Sequence, residues 1–283
     1  MRSAPSSITS QRSSRPTKRW RWFLILGVGT LCGMLVAIPL WMRSHPTSHE
    51  PTNIARSWHD LMRLSTRGGT VGLSARLPIK LTPSQQPTQI PQVLYIGAEW
   101  CPFCAAQRWP LIIALSRFGH WSHPLQPTES AAFDIYPNTV TWTFYRSHYV
   151  SHYISLTTLE LAGRTKGPNG LPTVLEKPSP LIGRVWTRLD APPFSSAPGQ
   201  IPFVLVGSRY LWIGSNYAPS QLSHLNWAQV VHAIRHQNPL GRTIMSNANL
   251  MTEAMCLSDH NEPSNVCTIP AVQHYEKQLK AEP

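Results

Sequence analysis

The chain has 283 residues, 42% hydrophobic and 13% charged, with 11 Trp and 27 Pro; that is enough apolar mass for a packed core and excludes wholesale disorder. The formal net charge of +12 is uneven: Arg2, Arg12, Arg15, Lys18, Arg19 and Arg21 precede the first acid, whereas from Ser44 onward bases and acids are interspersed. Nucleic-acid binding requires Lys and Arg gathered on one face, and no such block follows the N-terminus, so that function class is set aside.

Residues 1–21 read as a basic cytoplasmic N-terminus and 22–42 as a transmembrane anchor. The run "WFLILGVGTLCGMLVAIPLW" (22–41) holds 20 residues without a charge, and a helix of that length spans about 30 Å, the hydrocarbon thickness of a bilayer. Trp20, Trp22 and Trp41 stand at its ends, where amphipathic rings prefer the interface. The preceding bases keep the N-terminus in the cytoplasm and put the bulk of the chain outside. The run exceeds the apolar region of a secretory signal, and no small-x-small cleavage site follows. Cys32 is then an apolar residue within the anchor.

Residues 43–67 form a linker and short helix: 43–52 is rich in Pro, Ser and His, and Ile54, Trp58, Leu61, Met62 and Leu64 have helical spacing. From 68 to 283 one domain is expected. Residues 68–91 are broken by Gly and Pro, with room for a short strand. "QVLYIG" (92–97) is a buried strand. "CPFCAAQRWPLIIALSRFG" (101–119) is a helix with Pro102 in its first turn, Pro110 kinking its interior and Gly119 closing it. Segments 139–146 and 152–161 are rich in β-branched and aromatic residues, hence strands. Residues 162–200 carry many Gly and Pro and read as an insertion with little regular structure. "IPFVLVG" (201–207) and "RYLWIG" (209–214) form a strand pair, and 219–237 a helix with Leu222, Leu225, Val230, Val231 and Ile234 as its apolar stripe. This order predicts an α/β domain, a central mixed sheet flanked by helices.

Outside the cytoplasm disulfides persist. Cys101, Cys104, Cys256 and Cys267 remain there and allow three pairings; proximity favours 101 with 104 and 256 with 267. Cys256 and Cys267 bracket a polar loop and read as a structural disulfide closing the C-terminal segment, contributing about 3 kcal/mol. The rival reading is a second redox pair that relays electrons. Cys101 at a helix N-terminus faces unpaired amides and the positive end of the dipole, which favour its thiolate. Cys104, one turn later, is placed to resolve a mixed disulfide. Pro102 fixes the backbone between them and Phe103 offers apolar surface. Arg108 and Arg117 read as solvated or packed against acids elsewhere, and Trp100 and Trp109 as substrate surface or core. No metal site is expected, because the second cysteine pair is too widely spaced and the His residues show no ligand grouping. An inert staple, a non-catalytic binding module and a thiolate metal carrier stand as alternatives.

"AEWCPFC" (98–104) resembles the active site of the thioredoxin superfamily, in which a Trp precedes Cys-x-x-C at the end of a strand. "QIPFVLVG" (200–207) is similar to the segment where members place a cis-proline facing the pair, at Pro202, with the backbone of Ile201 as a docking edge. Longer stretches resemble an uncharacterised membrane-anchored family within that superfamily, domain of unknown function 929. The resemblance implies a thioredoxin-like fold and a thiol–disulfide oxidoreductase of exported proteins. It would act on protein thiols and disulfides with no cofactor beyond the cysteine pair, served by a membrane redox partner. One departure stands out: many members carry a buried carboxylate six residues before the first Cys, and Tyr95 occupies that position here; Glu99 is nearby as a candidate proton acceptor, but its place in the motif is usually solvent-facing, so the departure leaves rate and direction open.

Overall fold

The computed structural model describes residues 50–69 and 75–281; the basic N-terminus, the anchor at 22–42 and the first part of the linker lie outside the described residues. Among the described residues no helix is long and apolar enough to cross a membrane. In chain order the elements are α1 (Glu50–Ser65), β1 (Ile79–Lys80), β2 (Val93–Gly97), α2 (Pro102–Leu115), β3 (Gly119–Trp121), β4 (Pro127–Glu129), β5 (Val140–Trp142), β6 (Tyr149–Ser151) and β7 (Leu156–Glu160). There follow β8 (Ala162–Lys166), β9 (Pro172–Val174), α3 (Pro180–Leu189), β10 (Phe203–Val206), β11 (Tyr210–Ile213), α4 (Trp227–Arg235), α5 (Pro239–Ser258) and the short helices α6 (Ser264–Cys267), α7 (Pro270–Gln273) and α8 (Glu276–Lys280).

The architecture is mixed α/β. Five strands form one mixed sheet in the order β1-β11-β10-β2-β7. β2 and β7 are parallel, with Tyr95 opposite Thr158 and Gly97 opposite Glu160, so the chain between them crosses over and carries α2. β10 runs antiparallel to both β2 and β11, with Phe203 opposite Ile96 and Ile213. The parallel partner of β2 is therefore the segment at 156–160. The expected strand at 139–146 shortens to β5, which pairs with β4 in a separate two-stranded ribbon.

Period-two alternation sorts the central strands onto two cores. Val93, Tyr95, Val204, Val206, Tyr210 and Trp212 face one side, where they meet α1, α2, α4 and α5. Leu94, Ile96, Phe203, Leu205, Leu211 and Ile213 face the other, where Ile182, Val185 and Leu189 of α3 cover them. Buried on both faces, these strands read as continuous apolar runs, as central strands do. α2 is buried on almost its whole circumference, packed against α5 and β5 and sharing its core with Val93 and Tyr95 of the sheet.

Four expectations need correction. The stretch 162–200 is not irregular: β8 and β9 form a hairpin and α3 an amphipathic helix capped by Ser179, whose side chain accepts the Ile182 amide. The helix expected over 219–237 is two pieces, a 3-10 turn (Pro219–Leu222) and α4, because Asn226 and Gln229 close a capping box that starts a new helix. Gly119 does not terminate α2, which is capped at Ser116; it opens β3, where an added Cβ would sit 2.3 Å from the Val150 carbonyl oxygen. Arg117 is buried, not solvated, and its guanidinium binds the carbonyls of Ser65 and Arg67 and the Thr252 hydroxyl.

Candidate active site

β2 delivers the chain to its own C-terminal edge at Gly97, and α2 begins five residues later. Between them Cys101 is the N-cap of α2, with extended backbone and a sulfur that accepts the Cys104 amide at 3.3 Å. Pro102 follows at the helix start, where a missing N–H is harmless. Cys101 and Cys104 are both free thiols and both buried, with Cys101 3% exposed. Ala98 joins them in one apolar cluster, against which Trp100, Ala162 and Ile201 pack. The Ile201–Pro202 peptide is cis; Ile201 lies just outside the ladder that starts at Phe203, and Pro202 is buried. The sequence-predicted Cys101, Cys104, Trp100, Pro102 and Ile201 are thus brought together on one side of the sheet's end.

The two thiols differ in acidity. A hydrogen bond from the Cys104 thiol lowers Cys101, helped by the Cys104 and Phe103 amides and the Arg108 charge, against the opposing effect of burial. Burial pushes Cys104 well above the ordinary thiol value, and its bond to Cys101 adds to the rise. One sulfur is pre-disposed to be an anion, and the other holds its proton. That asymmetry is what an attacking and a resolving thiol require.

Phe103 is the exposed member of the motif, 37% accessible, and its ring meets Tyr136 edge-on at 6.1 Å. The loop bearing Tyr136 is tied to the site by the Ala131 amide, which donates to the Trp100 carbonyl at 2.9 Å. Trp109 is core, its indole N–H donating to the Val140 carbonyl and its ring against Trp142. His120, His123, His148 and His152 are all exposed.

Glu99 is half-buried at the turn, its amide donating to the Ala162 carbonyl. The fully buried carboxylate beside the thiols is another residue, Glu160 at the end of β7. Arg108 on α2 grips it through a two-pronged bond, Nε to Oε1 at 2.8 Å and Nη2 to Oε2 at 2.5 Å, both side chains being inaccessible. Nη2 also donates to the Ala98 carbonyl at 2.9 Å, and Glu160 accepts the Phe144 amide. Burial opposes the charge on each; the carboxylate overrides it for Arg108, which stays protonated, while burial still pushes the Glu160 carboxyl up. Arg108 was expected to be solvated or packed against an acid; only the second holds. The sequence signal was there, a lone base and a lone acid inside two apolar runs that fold side by side.

Tyr95 reaches toward the same place. Its phenol lies across Gly97, so closely that a Cβ there would fall 2.1 Å from the hydroxyl oxygen. Glycine at 97 is what lets a tyrosine occupy this strand face. The Arg108 guanidinium carbon sits 5.9 Å from the Tyr95 ring centre.

A family model described as a domain of unknown function (DUF929) matches residues 78–173. The DUF929 match covers β1 through most of β9, taking in Cys101, Cys104, Tyr95, Arg108 and Glu160 and ending before Ile201 and Pro202. No curated protein and no solved structure matches the chain. Among the described residues no group of three or more His, Cys, Asp or Glu could hold a metal ion. At the far end of the domain Cys256 and Cys267 are joined in a disulfide.

Proposed function

We propose that this is a thiol–disulfide oxidoreductase with a thioredoxin-like fold, working through Cys101 and Cys104. The observation that carries the reading is the placement of Cys101 as the N-cap of α2, with its acidity raised and Cys104 one turn behind it. The order of β7, β2, β10 and β11, with α2 on one face and α3 on the other, is the arrangement expected of that fold. Cys101 is the nucleophile: its thiolate attacks a disulfide sulfur of a protein substrate and forms a mixed disulfide. Cys104 then attacks Cys101, expelling the substrate as a thiol and leaving an internal disulfide. Ile201, packed beside the pair, supplies the edge along which an extended substrate lies.

The test is insulin reduction by the full-length protein in the presence of a dithiol. Cys101→Ser should abolish turnover over background, and turnover equal to wild type would end the proposal. The uncharged run at 22–41 further supports a membrane-tethered enzyme with its domain outside the cytoplasm, acting on exported proteins and exchanging electrons with a membrane partner. Protease added to intact cells should then digest the domain; a domain cleaved only after lysis would refute that topology.

A further inference from the structure

Two buried hydrogen-bond donors at this site have no partner. Tyr95 Oη and Arg108 Nη1 are both unpaired, although both side chains are fully buried. Native proteins seldom tolerate an orphaned buried donor, and each instance calls for a reason. Neither group is free to turn away. Tyr95 is wedged over Gly97 and against Phe144, and Arg108 is fixed by its fork to Glu160 and its bond to Ala98. Gly97 and Glu160 are register partners on adjacent parallel strands, and Arg108 stands four residues beyond Cys104, one helical turn away on α2. Phenol and guanidinium thus approach from β2 and α2, each near enough to feel the charge of Cys104, and the carboxylate lies behind them on β7.

We propose that the Tyr95 hydroxyl and the free Arg108 N–H form an anion hole for the Cys104 thiolate, with Glu160 as the positioning residue that aims Arg108. The inference rests on the oxidoreductase reading. While Cys104 is a neutral thiol the donors are idle. In the resolving step Cys104 loses its proton, its sulfur attacks Cys101, the Cys101–Cys104 bond forms and the bond from Cys101 to the substrate breaks. The departing substrate thiolate takes up the proton, so one disulfide replaces another and charge is conserved. The buried sulfur is anionic only during that step, and donors fixed beforehand act most strongly on charge that develops late in a dry site. The groups facing Cys104 are Cys101 and Arg108 from α2, Tyr95 from β2 and Glu160 from β7; Glu160 in turn faces Glu99, and Glu176 lies beyond it. Arg108 favours the thiolate, while Cys101 and Glu160 oppose it.

The experiment uses the reduced full-length protein carrying Cys32→Ala, mixed with dithiobis(nitrobenzoate) in a stopped-flow instrument. Attack by Cys101 releases one thionitrobenzoate, and resolution by Cys104 releases the second. Tyr95→Phe should leave the first release unchanged, slow the second by about tenfold and move the pH midpoint of the second phase upward. Arg108→Lys should do the same, since an ammonium cannot hold the fork and supply the spare donor together; should that variant fail to fold, Tyr95→Phe decides alone. A Tyr95→Phe protein whose second phase keeps its rate and midpoint overturns the anion hole. Wild-type protein that never releases the first thionitrobenzoate defeats the oxidoreductase reading instead.

Discussion

A carboxyl taken out of water resists ionisation, and Glu253 on α5 is such a group. It is 2% exposed, its Oε2 has no partner, and burial together with nearby Glu276 pushes its pKa to about 7 against the pull of Lys280. The folded state thus binds this proton more tightly than the unfolded chain. The group costs nothing below the unfolded value, and its penalty develops as pH rises from about 4.5 to about 7, reaching about 3 kcal/mol. Glu253→Gln should therefore match wild type near the acid end of that range and exceed it by up to that amount at pH 8. Urea melts at the two pH values measure it; a variant that gains nothing at pH 8 contradicts the assignment. Glu253 and Glu160 drew no reading from the sequence, and Arg108 was left between solvent and a distant acid. Each lies in an otherwise apolar run, and only tertiary packing decides whether such a charge is exposed or paired.

At the scale of elements, the disulfide and the free pair belong to opposite ends of the same sheet. Asp259, just after α5, accepts a bond from Gln92, the residue that precedes β2, and Ser258 is pressed against the turn at Gly207. Cys101 follows the other end of β2, and five strand residues at 3.3 Å each separate the two places by about 16 Å. Cys256 and Cys267, both buried, thus lie well away from Cys101, a separation that favours a staple for the C-terminal helices over a relay to the proposed exchange site. Replacing both with Ala should cost about 3 kcal/mol on the loop-entropy account while insulin reduction under native conditions is retained. A relay would lose turnover instead. The elements that sequence patterns predicted well were those with a single dominant signal: the apolar strand β2, the capped start of α2 and the hairpin β10–β11. α3 was hidden because Pro and Gly surround it, although Ser179, Pro180 and the spacing of Ile182, Val185 and Leu189 spell an N-capped amphipathic helix. α5 was legible only as a helix-like segment before Cys256, and its extent was hidden for the opposite reason: Ser246, Asn247, Asn249 and Thr252 are polar yet buried, so no apolar stripe marks it.

On the scale of the whole molecule, the sheet divides the interior into two cores of unequal size, and α2 lies wholly within the larger. That placement explains why the site was partly legible. A strand–Cys-x-x-C–helix junction is local and can be read from fifteen residues, whereas the partners of its helix come from β7, α1 and α5, far away in the chain. The Arg117 clasp has a mechanical corollary. It binds the Ser65 carbonyl that ends α1 and the Arg67 carbonyl just beyond it to the chain leaving α2 and to α5, about 20 Å along the helix from Cys101. Tension arriving at Glu50 would travel down α1 and be shared between α4, held through Asp60 and Arg235, and that clasp. The sulfurs, sitting at the unloaded tip of α2, would keep their spacing under strain.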